Sequence, residues 1–563
     1  MRGLHTKKGT QAMKVVAVAV AAVCTAGTAN AFKLETSPEW SINFDNSIMY
    51  NTGWRMQDRI PGIANHFAYQ SGDAKFDKGE MVTNRISDVM EFQAIYKGNM
   101  GFRTSASIWK DFAYNDHAKG VAPRNMTAVF PGVPAFPVPG ASSYTGGKYN
   151  NFTKRYFIEG AEFLDAFVFL NTDVAGTPVY LKGGRFTQYW GNAFFFGFSN
   201  IAYSQHPIDY IKGFSQPGSE IKELFLPRKQ ILVATDLSSE LSVAAQYFFE
   251  YRANRYPESG TYLGFFDPLF DGPDNFFAAP GSHGIVKPEN NNNNWGLKVS
   301  WSPEWVGGDL GFYYRQFDEV DPWLAQISIA DGRLQNPVNQ KAKLFGISYE
   351  RTFGLISTGF ELSQRRHTAL NSTPFNGLAT GGEAAKGKIT NFIANTFVQL
   401  GTTSLWDSGI LLAELSYTRL NEVTDNESMY FGEGHSACTG GNNWRDGCST
   451  RQSLAFAMLF DPQWLQALPG IDFDAPISYT WGAKGNPAYR ASGFYGEGTS
   501  IYSVGIKATY QSKHSLALQY NGYHWRTNTQ RGGVYAGNNG FGGIGAVGIN
   551  DRGWLQLTFK TSF

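Results

Sequence analysis

The sequence predicts a single all-β transmembrane barrel of the outer-membrane type. It has about eighteen antiparallel strands, sixteen being the alternative, with short periplasmic turns and long extracellular loops. Three observations predict it: strongly alternating segments recur to the last residue, the connections between them are alternately short and long, and the chain ends on the strand Trp554–Phe563. In that strand Leu555, Leu557, Phe559, Thr561 and Phe563 share one face, and Gln556, Thr558, Lys560 and Ser562 the other, because side chains alternate with period two. A last strand ending on an aromatic residue closes such a barrel by pairing with the first, which removes both free edges.

At the N-terminus, Arg2, Lys7, Lys8 and Lys14 precede an apolar run over 15–29, and Ala29-Asn30-Ala31 gives a small-x-small cleavage pattern before Phe32. Residues 1–31 are therefore read as a cleavable signal and 32–563 as the barrel. Removing four of the 48 basic residues leaves 44 − 47 = −3, a nearly neutral chain without a nucleic-acid footprint. No later stretch reads as a transmembrane helix. Aromatics at 15% and 63 glycines fit one large β unit better than several soluble domains.

In order, the clearest alternating segments are 40–50, 241–252, 295–301, 411–417, 471–481, 502–510 and 555–563. One face reads Trp40, Ile42, Phe44, Asn46, Ile48, Tyr50, then Leu241, Val243, Ala245, Tyr247, and so on without a charge. The other carries Asp45, Glu250, Lys298, Glu414, Asp472, Asp474, Lys507 and Lys560. A charge facing lipid at mid-bilayer costs roughly 2–4 kcal/mol, whereas a wet lumen tolerates it. A soluble sandwich also alternates, but aromatic residues at the ends of the apolar face favour a membrane, where Trp and Tyr mark both interfaces. Weaker segments at 88–97, 101–112, 156–170, 178–190, 229–236, 308–318, 341–352, 355–366, 388–400, 451–460 and 514–525 complete eighteen. The short connections include 98–100, 171–177, 237–240 and 511–513; the long ones include 51–87, 113–155, 191–228, 253–294, 421–450 and 526–550. That alternation places both termini in the periplasm.

Some connections carry detail. Asp461–Gly470 reads as one or two helical turns, started by Asp-Pro and stopped by Pro-Gly. Pro131–Gly140 reads as stiff and extended, and Asn290–Asn294 as a polar loop end. Cys438 and Cys448 are read as a disulfide of an oxidising compartment, closing a loop worth on the order of 2–3 kcal/mol. No metal, cofactor or catalytic residue is expected.

Connection 191–228 stands apart because it is too apolar to face water. It opens with Trp190-Gly-Asn-Ala-Phe-Phe-Phe196 and runs through His206-Pro-Ile-Asp209 to Pro217–Pro227. It is expected to fold into the barrel, with a short helix over Ser219–Leu224 capped at Ser219. The candidate pore constriction is Arg185, Trp190, Phe194, Phe195, Phe196, His206, Asp209, Glu220, Lys222 and Glu223. Either these groups line a narrowed pore, or the phenylalanines only wedge the loop in place.

The pattern Gly184-Arg185…Trp190-Gly191…Pro207…Asp209…Pro217-Gly218…Glu220-Ile-Lys-Glu223…Leu226-Pro227 resembles the outer-membrane family catalogued as domain of unknown function 1302. So do Asn43–Arg59 and Leu468-Pro-Gly-Ile-Asp472. Asn192 stands where that family commonly carries an acid, and His206-Pro-Ile-Asp209 where it carries Asn-Pro-Val-Asp. The resemblance implies a barrel in the bacterial outer membrane, partnered by a periplasmic lipid-handling protein or an inner-membrane exporter, and hence hydrophobic or amphipathic cargo. Outer-membrane lipids and lipopolysaccharide are the expected surroundings, and the barrel-assembly machinery the expected reader of the strand ending at Phe563.

The expected function is thus a porin-like channel passing or helping export small hydrophobic or amphipathic molecules. A surface adhesin or structural barrel is the alternative, and a lipid hydrolase a weaker one, since Gly213-Phe-Ser-Gln-Pro217 lacks the second glycine of a nucleophile elbow. With the first strand expected at residue 40, no room is left for a large N-terminal plug.

Overall fold

The computed structural model describes residues 32–65, 69–118, 125–130, 133–139, 143–216, 219, 221–264, 267, 271–276, 279–280, 285–288, 294–323, 326–328, 333–372, 384–438, 447–489, 496–526 and 547–563. The expected signal segment and most of Asn290–Asn294 lie outside these residues.

Eighteen staves form the wall. They are β1 (Trp40–Arg55), β2 (Met81–Tyr96), β3 (Met100–Asp111), β4 (Glu159–Val174), β5 (Thr177–Phe186) and β6 (Arg228–Asp236). Then come β7 (Leu241–Phe248), β8 (Trp295–Trp301), β9 (Asp309–Phe317), β10 (Ala342–Phe353), β11 (Ile356–Ala369) and β12 (Lys386–Leu400). The last are β13 (Ser408–Asp425), β14 (Gln452–Leu468), β15 (Ile471–Asp474 continued by Ile477–Lys484), β16 (Ser500–Tyr510), β17 (His514–His524) and β18 (Trp554–Ser562). Each stave pairs antiparallel with the next, and β18 pairs back onto β1 from Ser47↔Ser562 to Arg55↔Trp554, so the sheet is closed. A short N-terminal strand, Phe32–Ser37, folds back on Trp40–Phe44 and extends the line of β18. The count is eighteen, not sixteen.

The tight connections are made by residues that accept positive φ. Lys97-Gly98 and Ala175-Gly176 each place two successive residues there (φ 48 and 72; 55 and 83), the twist that suits a two-residue hairpin. The opposite end carries the long connections, among them 187–227 and 249–294. Val133–Pro139 is extended as expected and pairs with Asn125–Phe130 in a separate hairpin. Cys438 and Cys448 form a disulfide with Cα atoms 6.0 Å apart.

Three expectations need correction. Asp461–Gly470 is not helical: β14 runs straight through to Leu468. Pro462 is tolerated there because β15 breaks at residues 475–476 opposite it, with Gln463 paired to Asp474 and Phe460 to Ile477; no carbonyl of that neighbour needs the missing N–H. β7 ends at Phe248, so Tyr251, expected on the outer face, is buried in the following loop. The helix expected from Ser219 begins at Ile221, and the buried Ser219 hydroxyl caps nothing.

The wall is apolar outside and polar inside. Phe360 and Leu362 are exposed on the outer face of β11, while Glu361, Ser363 and Arg365 between them are buried. On β6, Ile231 and Val233 face out and Arg228 and Gln230 in. A soluble sheet would bury the first set. A barrel in lipid inverts the arrangement.

Candidate pore constriction

A loop that leaves the sheet loses its ladder partners, and its buried N–H and C=O groups must find others. For segment 192–204 the wall supplies them as inward-facing charges. Glu361 of β11 accepts hydrogen bonds from the backbone N–H groups of Asn192, Ala193 (2.9 Å) and Ile201 (3.3 Å). Glu414 of β13 accepts from those of Phe194 (2.6 Å), Phe195 (3.0 Å) and Phe196 (2.5 Å), and from Asn395 Nδ2 (3.3 Å). Arg315 of β9 donates to the carbonyls of Ile201 (2.9 Å) and Tyr203 (2.7 Å), and Arg228 of β6 to those of Ser204 and Glu250. Charge-assisted bonds of this kind are about twice as strong as neutral ones. They draw the loop across the lumen from β5 to β13.

Packing completes the clamp. Gly296 and Gly346 leave sockets in the inner wall: a Cβ at either would stand 2.8 Å from Trp190 Cζ3 or Ile201 Cγ1. Trp190 is buried with Phe186, Ile201, Leu232 and Tyr313; Phe196 packs on Ile393, Ala455 and Ala457 across the barrel. Phe195 is half-buried against the same group, while Phe194 is 44% exposed. The backbone N–H of Asn192 meets Glu361, while its side-chain amide donates to the carbonyl of Tyr349 (3.4 Å), a bond an ionised acid could not make.

The second half of the loop is held by its neighbours. Asp209 caps the helix Tyr210–Ser215 through Lys212 N (3.0 Å) and pairs with Arg255 (2.9 Å). Arg255 reaches Glu162 of β4 (2.7 Å), which Lys212 also meets (3.3 Å). The quartet ties loops 187–227 and 249–294 to the wall and to each other. His206 lies 3.8 Å, centroid to centroid, from Phe225. Burial, with Arg315 close by, pushes its pKa down to about 3. Glu223 is buried, Arg185 pairs with Glu250 (2.9 Å), and Glu220 and the Lys222 side chain lie outside the described parts. His206 and Asp209 are thus engaged in the fold of the loop itself.

Loop 249–294 occupies the other side. Arg552 donates to the carbonyls of Tyr262 (2.7 Å), Gly264 (2.7 Å) and Tyr69 (3.1 Å), while Arg55 pairs with Asp73 (2.7 Å) and Asp551 (3.3 Å). Toward the short turns two inward cations are partly accessible, the side chain of Arg103 at 30% and that of Lys507 at 38%, each paired with a more buried carboxylate. Among the described residues, inward charges near the short turns are thus partly accessible and those under the inward loops are buried. The residues that build the closure, Glu361, Arg228, Arg255 and Arg315, were not picked out by sequence reasoning. Glu414 was recognised only as facing inward.

A family model described as "Protein of unknown function (DUF1302)" matches residues 12–563. No curated protein matches the chain. Among solved structures, Pseudomonas aeruginosa OpdK with vanillate is 10% identical, with 94% of this chain and 100% of that chain covered and a TM-score of 0.41. Pseudomonas aeruginosa OccD3 (OpdP) is 11% identical over 95% and 93%, TM-score 0.39, and Acinetobacter baumannii OccAB1 10% over 92% and 96%, TM-score 0.40.

Proposed function

The chain belongs to the DUF1302 family of proteins of unknown function, and we propose that it is an outer-membrane channel for small amphipathic solutes, narrowed at its extracellular end by loop 187–227. One observation carries this reading: the inner wall bears partly accessible charges toward the short turns, and a separate loop is clamped across the lumen by Glu361 and Glu414. A barrel serving only as scaffold or adhesin has no need of partly accessible charges in its interior. Phe194 presents an apolar surface beside those charges, which suits a solute with one apolar and one polar end. The test is conductance in planar bilayers. The wild-type barrel is expected to conduct weakly, and the E361Q/E414Q protein, with its loop loosened, several-fold more. A refolded barrel that conducts in neither form would overturn the proposal.

A further inference from the structure

Five arginines rank among the largest fully buried side chains: Arg55, Arg228, Arg315, Arg365 and Arg552. Four direct their guanidinium groups at carbonyls or carboxylates of the inward loops. Arg365, on the inner face of β11 close to the long-loop end, is different. Its Nε, Nη1 and Nη2 have no hydrogen-bond partner. Its Cζ lies instead 3.6 Å from the ring centre of Tyr203 and 4.1 Å from that of Tyr489, two rings set edge to face at 78°. Contact with aromatic rings offsets part of the cost of burying a guanidinium but supplies none of the oxygen acceptors its N–H donors can use.

Other groups beside it are also unserved. Ser363, two residues away on the same face, and its register partner Asn391 have an unpartnered Oγ and Nδ2, and both amide atoms of Asn200 are unpartnered. These groups share one place: Tyr489 Oη is within hydrogen-bonding distance of Asn391 Oδ1 (3.2 Å) and of the carbonyl of Ser199, the neighbour of Asn200 (3.3 Å), either of which can accept its one proton. Glu319 acts on Arg365 electrostatically but accepts no hydrogen bond from it; its oxygens accept from Thr368 Oγ1 and Ala369 N (3.1 Å). The surroundings are apolar; Tyr203 and Tyr489 belong to one buried cluster with Trp323, Leu370 and Ala385.

We propose that Arg365 is a binding station for the carboxylate of an amphipathic solute at the extracellular end of the lumen. Buried polar groups are almost always partnered, and a guanidinium fork left without an acceptor matches a planar, bidentate carboxylate. The neighbouring amides and hydroxyl supply further unpartnered groups for the carboxylate. The station depends on the channel reading only for the solute's route.

Binding to the full-length barrel in detergent tests the site without flux, so either reading can fail alone. Titration calorimetry with benzoate is expected to show saturable binding, weakened at least tenfold in R365Q and less in R365K, while neutral benzyl alcohol does not bind and inorganic phosphate does not displace benzoate. Four results overturn the proposal: no benzoate binding to the wild type, as when water alone serves these donors; equal binding of benzyl alcohol; displacement by phosphate; or unchanged affinity in a folded R365Q barrel. The first three need no variant and stand even where R365Q does not fold.

Discussion

Glu361 and Glu414 each lie one position from a side chain that faces outward, Leu362 and Leu415, yet their own partners are backbone N–H groups of a loop far away in sequence. A glutamine keeps an acceptor and loses the charge, which lowers the contribution of each clamp by about 1–2 kcal/mol. Loop docking is therefore expected to weaken in E361Q and E414Q, and faster hydrogen exchange over 192–201 would show it. His206 adds a pH dependence. Its pKa is depressed in the docked loop to about 3 from an ordinary 6.5, so its contribution is complete above pH 6.5 and is lost as pH falls toward 3. At pH 5 that amounts to about 2 kcal/mol against docking. Exchange over 199–212, corrected for intrinsic rates, should quicken between pH 7 and 5 in the wild type and much less in H206F.

At the scale of elements, β10 meets the loop at Gly346. Valine suits a strand, and Gly346 is not in the left-handed region, but a side chain there removes the socket of Ile201. G346V is expected to keep the unfolding midpoint of the barrel and raise its conductance; an unchanged conductance would show that the loop does not depend on this socket. The disulfide acts on one loop only. C438S should leave barrel unfolding unchanged and make the 426–451 connection easier for trypsin to cut, by about 2–3 kcal/mol of lost local constraint.

The strands were legible because period-two alternation is local, and all eighteen proposed segments have a counterpart in the wall. Loop 187–227 was conspicuous by its phenylalanines. The clamp was not legible, because Glu361 and Arg315 each read as a single charge within a strand and their partners are backbone groups, which leave no trace in sequence. The Asp461–Gly470 misreading has the same origin: Asp-Pro and Pro-Gly are helix punctuation only when no neighbouring strand offers a ladder, and here β13 does along Ser408–Arg419.

For the whole molecule, the decisive property is the inverted wall. Phe360 lies between the tight turn at 354–355 and the polar rim at Arg366. F360R is expected to cost roughly 2–4 kcal/mol in vesicles, measured by urea unfolding. In detergent, where water reaches the belt more easily, the cost should shrink. A substitution with the same penalty in both media would argue against lipid contact at this position.

The clamp also imposes an order of events. Loop 187–227 follows β5, but the groups that hold it belong to β9, β11 and β13, which are synthesised later. Its clamp is therefore complete only when β13, the thirteenth of eighteen staves, is in place. The stopper is thus finished by staves that are made after it, so a chain truncated before β13 would leave it only partly held.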